Sequence, residues 1–441
     1  MAQPSEQSAS QISTPGRTVY VDRRQRLGHL LVLVILSSAA WLWPTPTGLT
    51  LQGQAVIAVA VLAIGLWSTE ALPAGVTGMV TVLALVLTGG VTDFRQALTG
   101  FAEPVAYFLI AVLTIGLAVL RSGLAERIAR FFLQHSKGRP RLLYVQLLLA
   151  FPLLTLLLPS ATTRTGILIH IYDQALTLSR VPRGAPVAKA IMLALNSINR
   201  LASTVLLTGG ITPVVAAALI GGISWSRWLA LMVVPYGVLL ALGAGLIYVQ
   251  YRHGFSIVLA EAQLTDPSPL SSLEYRTIAI TLGASLLWLS DAWHHWHPAI
   301  PALLAWICLL TPGLGVLTWK EFERDLGWGN FFVLATSLSL AQALISSGAG
   351  RWMAGLIVHS LPVFTRHPVL VIGVLLAASA PVRLLIPNIT GFLAMTIPIA
   401  MSIGHATGIN PVVCGLVVMI AGVVAGLLGG VWIIRRQLIK T

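Results

Sequence analysis

Apolar runs of about twenty residues recur along the chain, separated by short stretches rich in Arg, Gly and Pro, and such a run crosses the hydrocarbon core of a bilayer as one helix. The pattern predicts spans near Leu27–Trp43, Gln54–Thr69, Val76–Val91 and Val105–Leu120. A basic stretch from Arg121 to Arg141 follows. Its amphipathic part, Leu124–Gln134, reads as a helix lying along the membrane surface. Next come a long segment, Leu142–Leu178, a run dotted with polar residues, Val187–Ile220, and a span at Trp228–Tyr251. Beyond a polar linker, Arg252–Arg276, the order recurs. Spans at Thr277–Trp293, Ala299–Leu310 and Asn330–Leu344 lead to a surface segment, Gly348–Val358, then to Pro368–Ile403 and a last span, Pro411–Ile434.

Two long segments are broken by the same four-position pattern. Pro159-Ser160-Ala161-Thr162 interrupts the first and Pro387-Asn388-Ile389-Thr390 the second, 228 positions apart. Non-helical backbone at membrane depth is tolerated only where protein buries it or where it lines a wet cavity. A matched pair of interrupted segments therefore points to a transport site near the bilayer midplane. Basic loops flank the first segment on both sides, with Arg127, Arg130, Lys137 and Arg139 before it and Arg180, Arg183 and Lys189 after. Both its ends are thus expected on the cytoplasmic face, as a re-entrant hairpin; a broken single span is the alternative. An odd number of crossings in the first repeat inverts the second, so the second hairpin should enter from outside. A local echo supports the repeat: Ala118-Val119-Leu120-Arg121-Ser122-Gly123-Leu124-Ala125 against Ala343-Leu344-Ile345-Ser346-Ser347-Gly348-Ala349-Gly350. With the 228-residue offset the chain ends opposite Pro213, so the second repeat reads as shortened.

The expected fold is an all-α membrane protein with two inverted-topology repeats, two re-entrant hairpins and about ten transmembrane helices. Residues 1–26 form a cytoplasmic tail, and 27–251 the first half with its tip at 159–163. Residues 252–276 form a cytoplasmic linker, and 277–441 the second repeat with its tip at 387–390.

Composition removes other classes. The 441 residues are 56% hydrophobic and 9% charged, whereas a soluble domain carries about a quarter charged residues. The net charge of +13 comes from basic residues lying mainly between apolar runs, which is the signature of cytoplasmic loops rather than of nucleic-acid binding. Arg17, Arg23, Arg24 and Arg26 precede the first run and predict an uncleaved span with a cytoplasmic N-terminus. The C-terminus is expected on the same side, in a multi-pass protein of the cell inner membrane. Cys308 and Cys414 sit inside apolar runs, and His294, His295 and His297 have no acidic or cysteine partner nearby, so no metal site is expected. No Walker motif and no nucleophile–base set occurs. The chain does not read as an enzyme or an ATP-driven pump.

The tips carry the candidate chemistry. Ser160, Ala161, Thr162, Thr163 and Arg164 at the first, and Asn388, Ile389 and Thr390 with Arg383 at the second, are candidate substrate-binding residues. Helix ends and backbone N–H groups there favour an anion, while unwound carbonyls can hold a sodium ion. The bland alternative is that Ser and Thr merely satisfy backbone carbonyls. Arg164, Arg200 and Arg383 lie within apolar segments, where an ionisable residue is costly and marks function unless it snorkels or has a structural partner. Thr208-Gly209-Gly210-Ile211-Thr212-Pro213 looks like an unwound turn at membrane depth. Thr208, Gly209, Gly210, Thr212 and Pro213, with Ser160 and Asn388, form the candidate ion site. Asn196 and Asn199 either line the cavity or bond between helices. Glu70, Asp93, Glu103, Asp173 and Asp291 all fall near segment ends, so arginines without central carboxylates favour an anionic substrate.

Over about Ala55–Met419 the chain resembles the divalent-anion:sodium symporter (DASS) family of the ion-transporter superfamily. Trp67-Ser68-Thr69-Glu70-Ala71-Leu72-Pro73 is similar to the family's Trp-x-x-Glu-Ala-Leu-Pro motif, and both repeats show its Ser-Gly boundary before the surface helix. The tips sit where the family has paired Ser-Asn-Thr signatures. Ser160-Ala161-Thr162 lacks the asparagine, and Pro387-Asn388-Ile389 keeps it without the hydroxyls. Gly209-Gly210-Ile211-Thr212-Pro213 resembles the family's Gly-Thr-Pro turn at one sodium site, with no counterpart in Ala421–Gly430. The resemblance implies transport of a dicarboxylate, citrate or sulfate, driven by sodium with no other cofactor, through an elevator motion in a homodimer. Two alternatives stand beside it: a sodium/proton or other cation antiporter of the same superfamily, and an inactive truncated transporter or membrane assembly partner.

Overall fold

The apolar runs fold as helices, and among the described residues there are no strands. The computed structural model describes residues 23–157, 161–182, 184–257, 269–360, 367–386 and 388–438. The first part contains α1 (Arg23–Leu42), α2 (Leu51–Thr69), α3 (Ala74–Leu87), the four-residue turns α4 (Phe94–Ala97) and α5 (Thr99–Ala102), and α6 (Pro104–Arg121). It continues through α7 (Leu124–His135), α8 (Pro140–Leu157), α9 (Ala161–Leu178) and α10 (Pro186–Leu193). A π-helical turn (Ala194–Ile198), α11 (Asn199–Val205), a 3-10 turn (Leu207–Gly209), α12 (Ile211–Ile220) and α13 (Trp225–Tyr251) complete it. The second part has α14 (Ser272–Leu289), the turn α15 (Asp291–His294), α16 (Ala299–Leu310), α17 (Trp319–Asp325) and α18 (Gly329–Ser346). It ends with α19 (Ala349–Ser360), α20 (Pro368–Leu385), α21 (Ile389–Thr407) and α22 (Pro411–Leu438).

Local chemistry sets the helix starts. Proline occupies the first turn of α6, α10 and α20, where its missing N–H has no helical partner to lose. Ser271 and Glu274 form a reciprocal capping box on α14, as do Thr318 and Glu321 on α17. These caps explain two departures from the hydropathy reading. α14 begins inside the expected linker, and α17 is too short and charged to show as an apolar run. Among the described residues six helices, α2, α6, α13, α18, α20 and α21, are long and apolar enough to cross a membrane. The chain is a multi-pass membrane protein.

Shifted by 228 positions, Pro140–Leu157 falls on Pro368–Leu385 and Ala161 falls on Ile389. The same shift carries α3 onto α16 and α6 onto α18. Their packing is reciprocal: α3 lies against α18, and α16 lies against α6. α5 also packs closely on α18. The Gly100 N–H donates to Ser339 Oγ at 2.9 Å, and a Cβ at Gly100 would sit 2.0 Å from the Ala335 carbonyl oxygen.

The helices α7 and α19 are each fastened across the molecule. Gly123 and Gly348, with φ +79 and +76, occupy the left-handed region between α6 and α7 and between α18 and α19. The fourth residue after each reaches the other half. Arg127 on α7 forms a two-pronged ion pair with Glu274 at the start of α14, Nε–Oε1 at 2.5 Å and Nη2–Oε2 at 3.0 Å. Trp352 on α19 donates its indole N–H to the Thr47 carbonyl before α2 at 3.1 Å. The Arg127 guanidinium holds the buried Glu274 carboxyl below the ordinary carboxylate range.

Candidate functional site

The run Val187–Ile220 does not continue as one helix. α11 stops at Val205, Leu206 is extended, and the chain turns through Leu207–Gly209 before α12 starts. Only glycine fits at the turn: a Cβ at Gly209 would lie 1.8 Å from the Ser203 carbonyl oxygen. Gly210, Ile211 and Thr212 then bring the first turn of α12, which no side chain caps, into the wall of a cavity of about 580 Å³. Uncapped N–H groups at a helix start carry partial positive charge.

That cavity gathers both interrupted segments. Ala161 from the first and Ile389 from the second line it, with Arg200, Arg383 and the α12 start. Arg383 lies near the end of α20, and its Nη1 donates to the Ile386 carbonyl at 2.6 Å. Across from it α22 presents bare backbone: a Cβ at Gly426 would come within 3.3 Å of the guanidinium. Arg200 is exposed, lines the same cavity as Arg383, and has no ion pair among the described residues. The carboxylate in the lining, Asp325, is shared between Arg121 at 2.6 Å and Arg324 at 2.9 Å. These partners hold its pKa down to about 2, the Arg324 hydrogen bond foremost. The net field in the cavity is therefore positive.

A second cavity of about 420 Å³ adjoins the first, sharing Ile211, Gly327, Asn330 and Ile389 with it. Asn388 and Thr390 line it. Asn388 caps α21, its Oδ1 accepting the Thr390 and Gly391 N–H groups at 3.0 and 3.1 Å, which leaves the amide nitrogen as its donor.

The other sequence candidates are distributed differently. Pro159, Ser160 and Pro387 lie outside the described residues, as do the side chains of Thr162 and Thr163. Arg164, expected to face an anion, is wholly buried away from both cavities, its Nε donating to Asn199 Oδ1 at 2.8 Å. Thr208 is buried with its hydroxyl oxygen accepting the Trp225 indole N–H at 3.4 Å, and Pro213 is enclosed within α12. Ser203 and Thr204 line the cavity but donate their hydroxyls to the Arg200 carbonyl. Sequence reasoning missed Asn330, which lies at the start of α18 on the wall of both cavities. No sequence signal marks it, because only packing between the two halves brings it there.

The chain is similar in sequence to several proteins over most of its length. A protein of Cupriavidus necator described as a membrane protein is 26% identical over 396 residues, covering 82% of this chain and 75% of its own. The citrate/succinate antiporter of Escherichia coli (strain K12) is 24% identical over 436 residues, covering 91% and 88%. The chloroplastic dicarboxylate transporter 2 of Spinacia oleracea is 24% identical over 412 residues, covering 88% and 72%. The family profile described as the sodium:sulfate symporter transmembrane region matches residues 24–431, nearly the whole sequence. The chain belongs to this sodium:sulfate symporter (DASS) family, and is a transporter rather than an enzyme.

Proposed function

We propose that the chain is a secondary active transporter of a small anion of the dicarboxylate, citrate or sulfate class, coupled to sodium. The observation that carries this reading is the cavity itself. Two arginines from different segments line it, an uncapped helix start adds positive charge, and the carboxylate in the lining is paired with two arginines. Like charges held together in a low-dielectric wall are relieved by an anion between them. Relatives named for citrate, succinate and dicarboxylates support the same class. We assign sodium to the unwound turn at Thr208, Gly209, Gly210, Thr212 and Pro213 together with Ser160; Asn388, whose Oδ1 caps α21 and whose remaining group is an N–H donor, is left to the anion.

The architecture that serves this function is two inverted repeats, 27–251 and 277–441, with α8–α9 and α20–α21 as re-entrant hairpins and about ten crossings. Reciprocal packing of α3 on α18 and α16 on α6 supports a two-fold relation between the repeats. Alternating access is by an elevator motion within a homodimer of the inner membrane, both termini being cytoplasmic.

A thermal-shift screen of purified protein against succinate, citrate, sulfate and phosphate, each with and without sodium, tests the reading. A ligand that binds only the folded state raises the midpoint with its concentration. Stabilisation by one anion, greater with sodium, is expected. No anion effect, with internal pH following external sodium in proteoliposomes, would make the chain a cation antiporter. Absence of any counterflow would make it a non-transporting partner.

A further inference from the structure

We propose that Asn199 is a positioning residue that holds the first tip against the anion cavity, with Arg164 as its anchor; the role in anion affinity rests on the transport reading above. Asn199 is completely buried, as is Arg164. Its amide is used at both ends. Oδ1 accepts from Arg164 Nε at 2.8 Å, and Nδ2 donates to the Ala161 carbonyl at 3.0 Å and to Thr165 Oγ1 at 2.8 Å. Thr165 in turn donates its hydroxyl to the Leu195 carbonyl at 3.2 Å. A guanidinium can only donate and a carbonyl can only accept, so the orientation of the amide is fixed by its neighbours. One side chain on α11 thus grips the first turn of α9 at Ala161, Arg164 and Thr165.

The local backbone explains why this residue can do so. The π-helical turn Ala194–Ile198 ends immediately before Asn199. An extra residue in a turn rotates everything after it by about 100° around the helix axis. Successive residues then point about 100° apart, so Asn199 faces α9 while Arg200, next in the chain, faces the cavity. The same two residues therefore fix the tip and supply a cation to the wall that the tip completes through Ala161.

The bland alternative is that this cluster only staples two helices together. Asn199→Asp separates the two roles: it keeps an acceptor for Arg164 and loses both donors to the tip. We expect Asn199→Asp to hold the thermal midpoint of the anion-free protein, to weaken the most stabilising anion of the screen about tenfold, and to raise KM while leaving the maximal rate near wild type. Unchanged affinity, or affinity lost only in step with stability, overturns the proposal. A second readout needs no anion. With Cys308 and Cys414 replaced by Ser, cysteines introduced as Ala161→Cys and Ile389→Cys face one cavity and are expected to cross-link through a short bis-maleimide. Adding Asn199→Asp should reduce that yield several-fold; an equal yield overturns the proposal even if no anion stabilises the wild type, an outcome that would count against the transport reading alone. If Asn199→Asp fails to fold, Thr165→Val, which removes one bond of the grip, takes its place with the same expected directions and the same overturning results.

Discussion

A guanidinium that lines a cavity and has no ion pair among the described residues is held ready for something negative, and Arg200 is such a group. Arg200→Gln should weaken anion binding about tenfold or more, because a hydrogen bond to a charged group is lost; Arg200→Lys should recover only part, since the planar fork is gone. Titration calorimetry on purified protein checks both. At the turn, Gly209→Ala forces a methyl to 1.8 Å from a carbonyl oxygen. It should destabilise the fold by about 1–3 kcal/mol, as overpacking does, with loss read as a lower thermal midpoint. The site was partly legible in the sequence. Proline, glycine and hydroxyl residues breaking apolar runs led to Ala161, Gly210, Thr212, Arg383 and Ile389, which share one cavity. Arg164 and Arg200 look alike in sequence, yet one meets Asn199 and the other the cavity. What separates them is packing of α9 against α11, which composition does not show.

Among the elements, the apolar runs mark the helices closely because hydropathy and helix length answer to the same bilayer. What escaped were features set by polar chemistry: the cap that starts α14 early, the charged α17, and the fastenings of the surface helices. The ion pair on α7 makes a specific prediction. Arg127→Glu and Glu274→Arg should each slow transport by detaching α7 from α14, and the double exchange should restore it, measured as uptake rate at saturating anion. The pair also gives a pH dependence. Glu274 titrates below its unperturbed value of 4.5 when folded, so its stabilisation is complete above that pH and fades as pH falls through the depressed value. The wild-type thermal midpoint should therefore drop on acidification below about pH 4.5, while Glu274→Gln starts lower and loses less over that range.

For the molecule as a whole, each half packs one pair of its helices on the other half. α3 needs α18, and α6 needs α16. Cutting the chain between residues 257 and 269 should yield two fragments that aggregate when produced singly and co-purify when produced together, as read by size-exclusion chromatography in detergent. The fastenings add a polarity to this interlock. One surface helix is tethered through opposite charges, the other through an indole and a carbonyl. If the repeats are inverted as proposed, these tethers face opposite compartments. Acid or concentrated salt applied on one side would then slacken a single arm, and the same treatment on the other side would leave its twin taut. A carrier assembled from two near-copies would in this way still distinguish inside from outside.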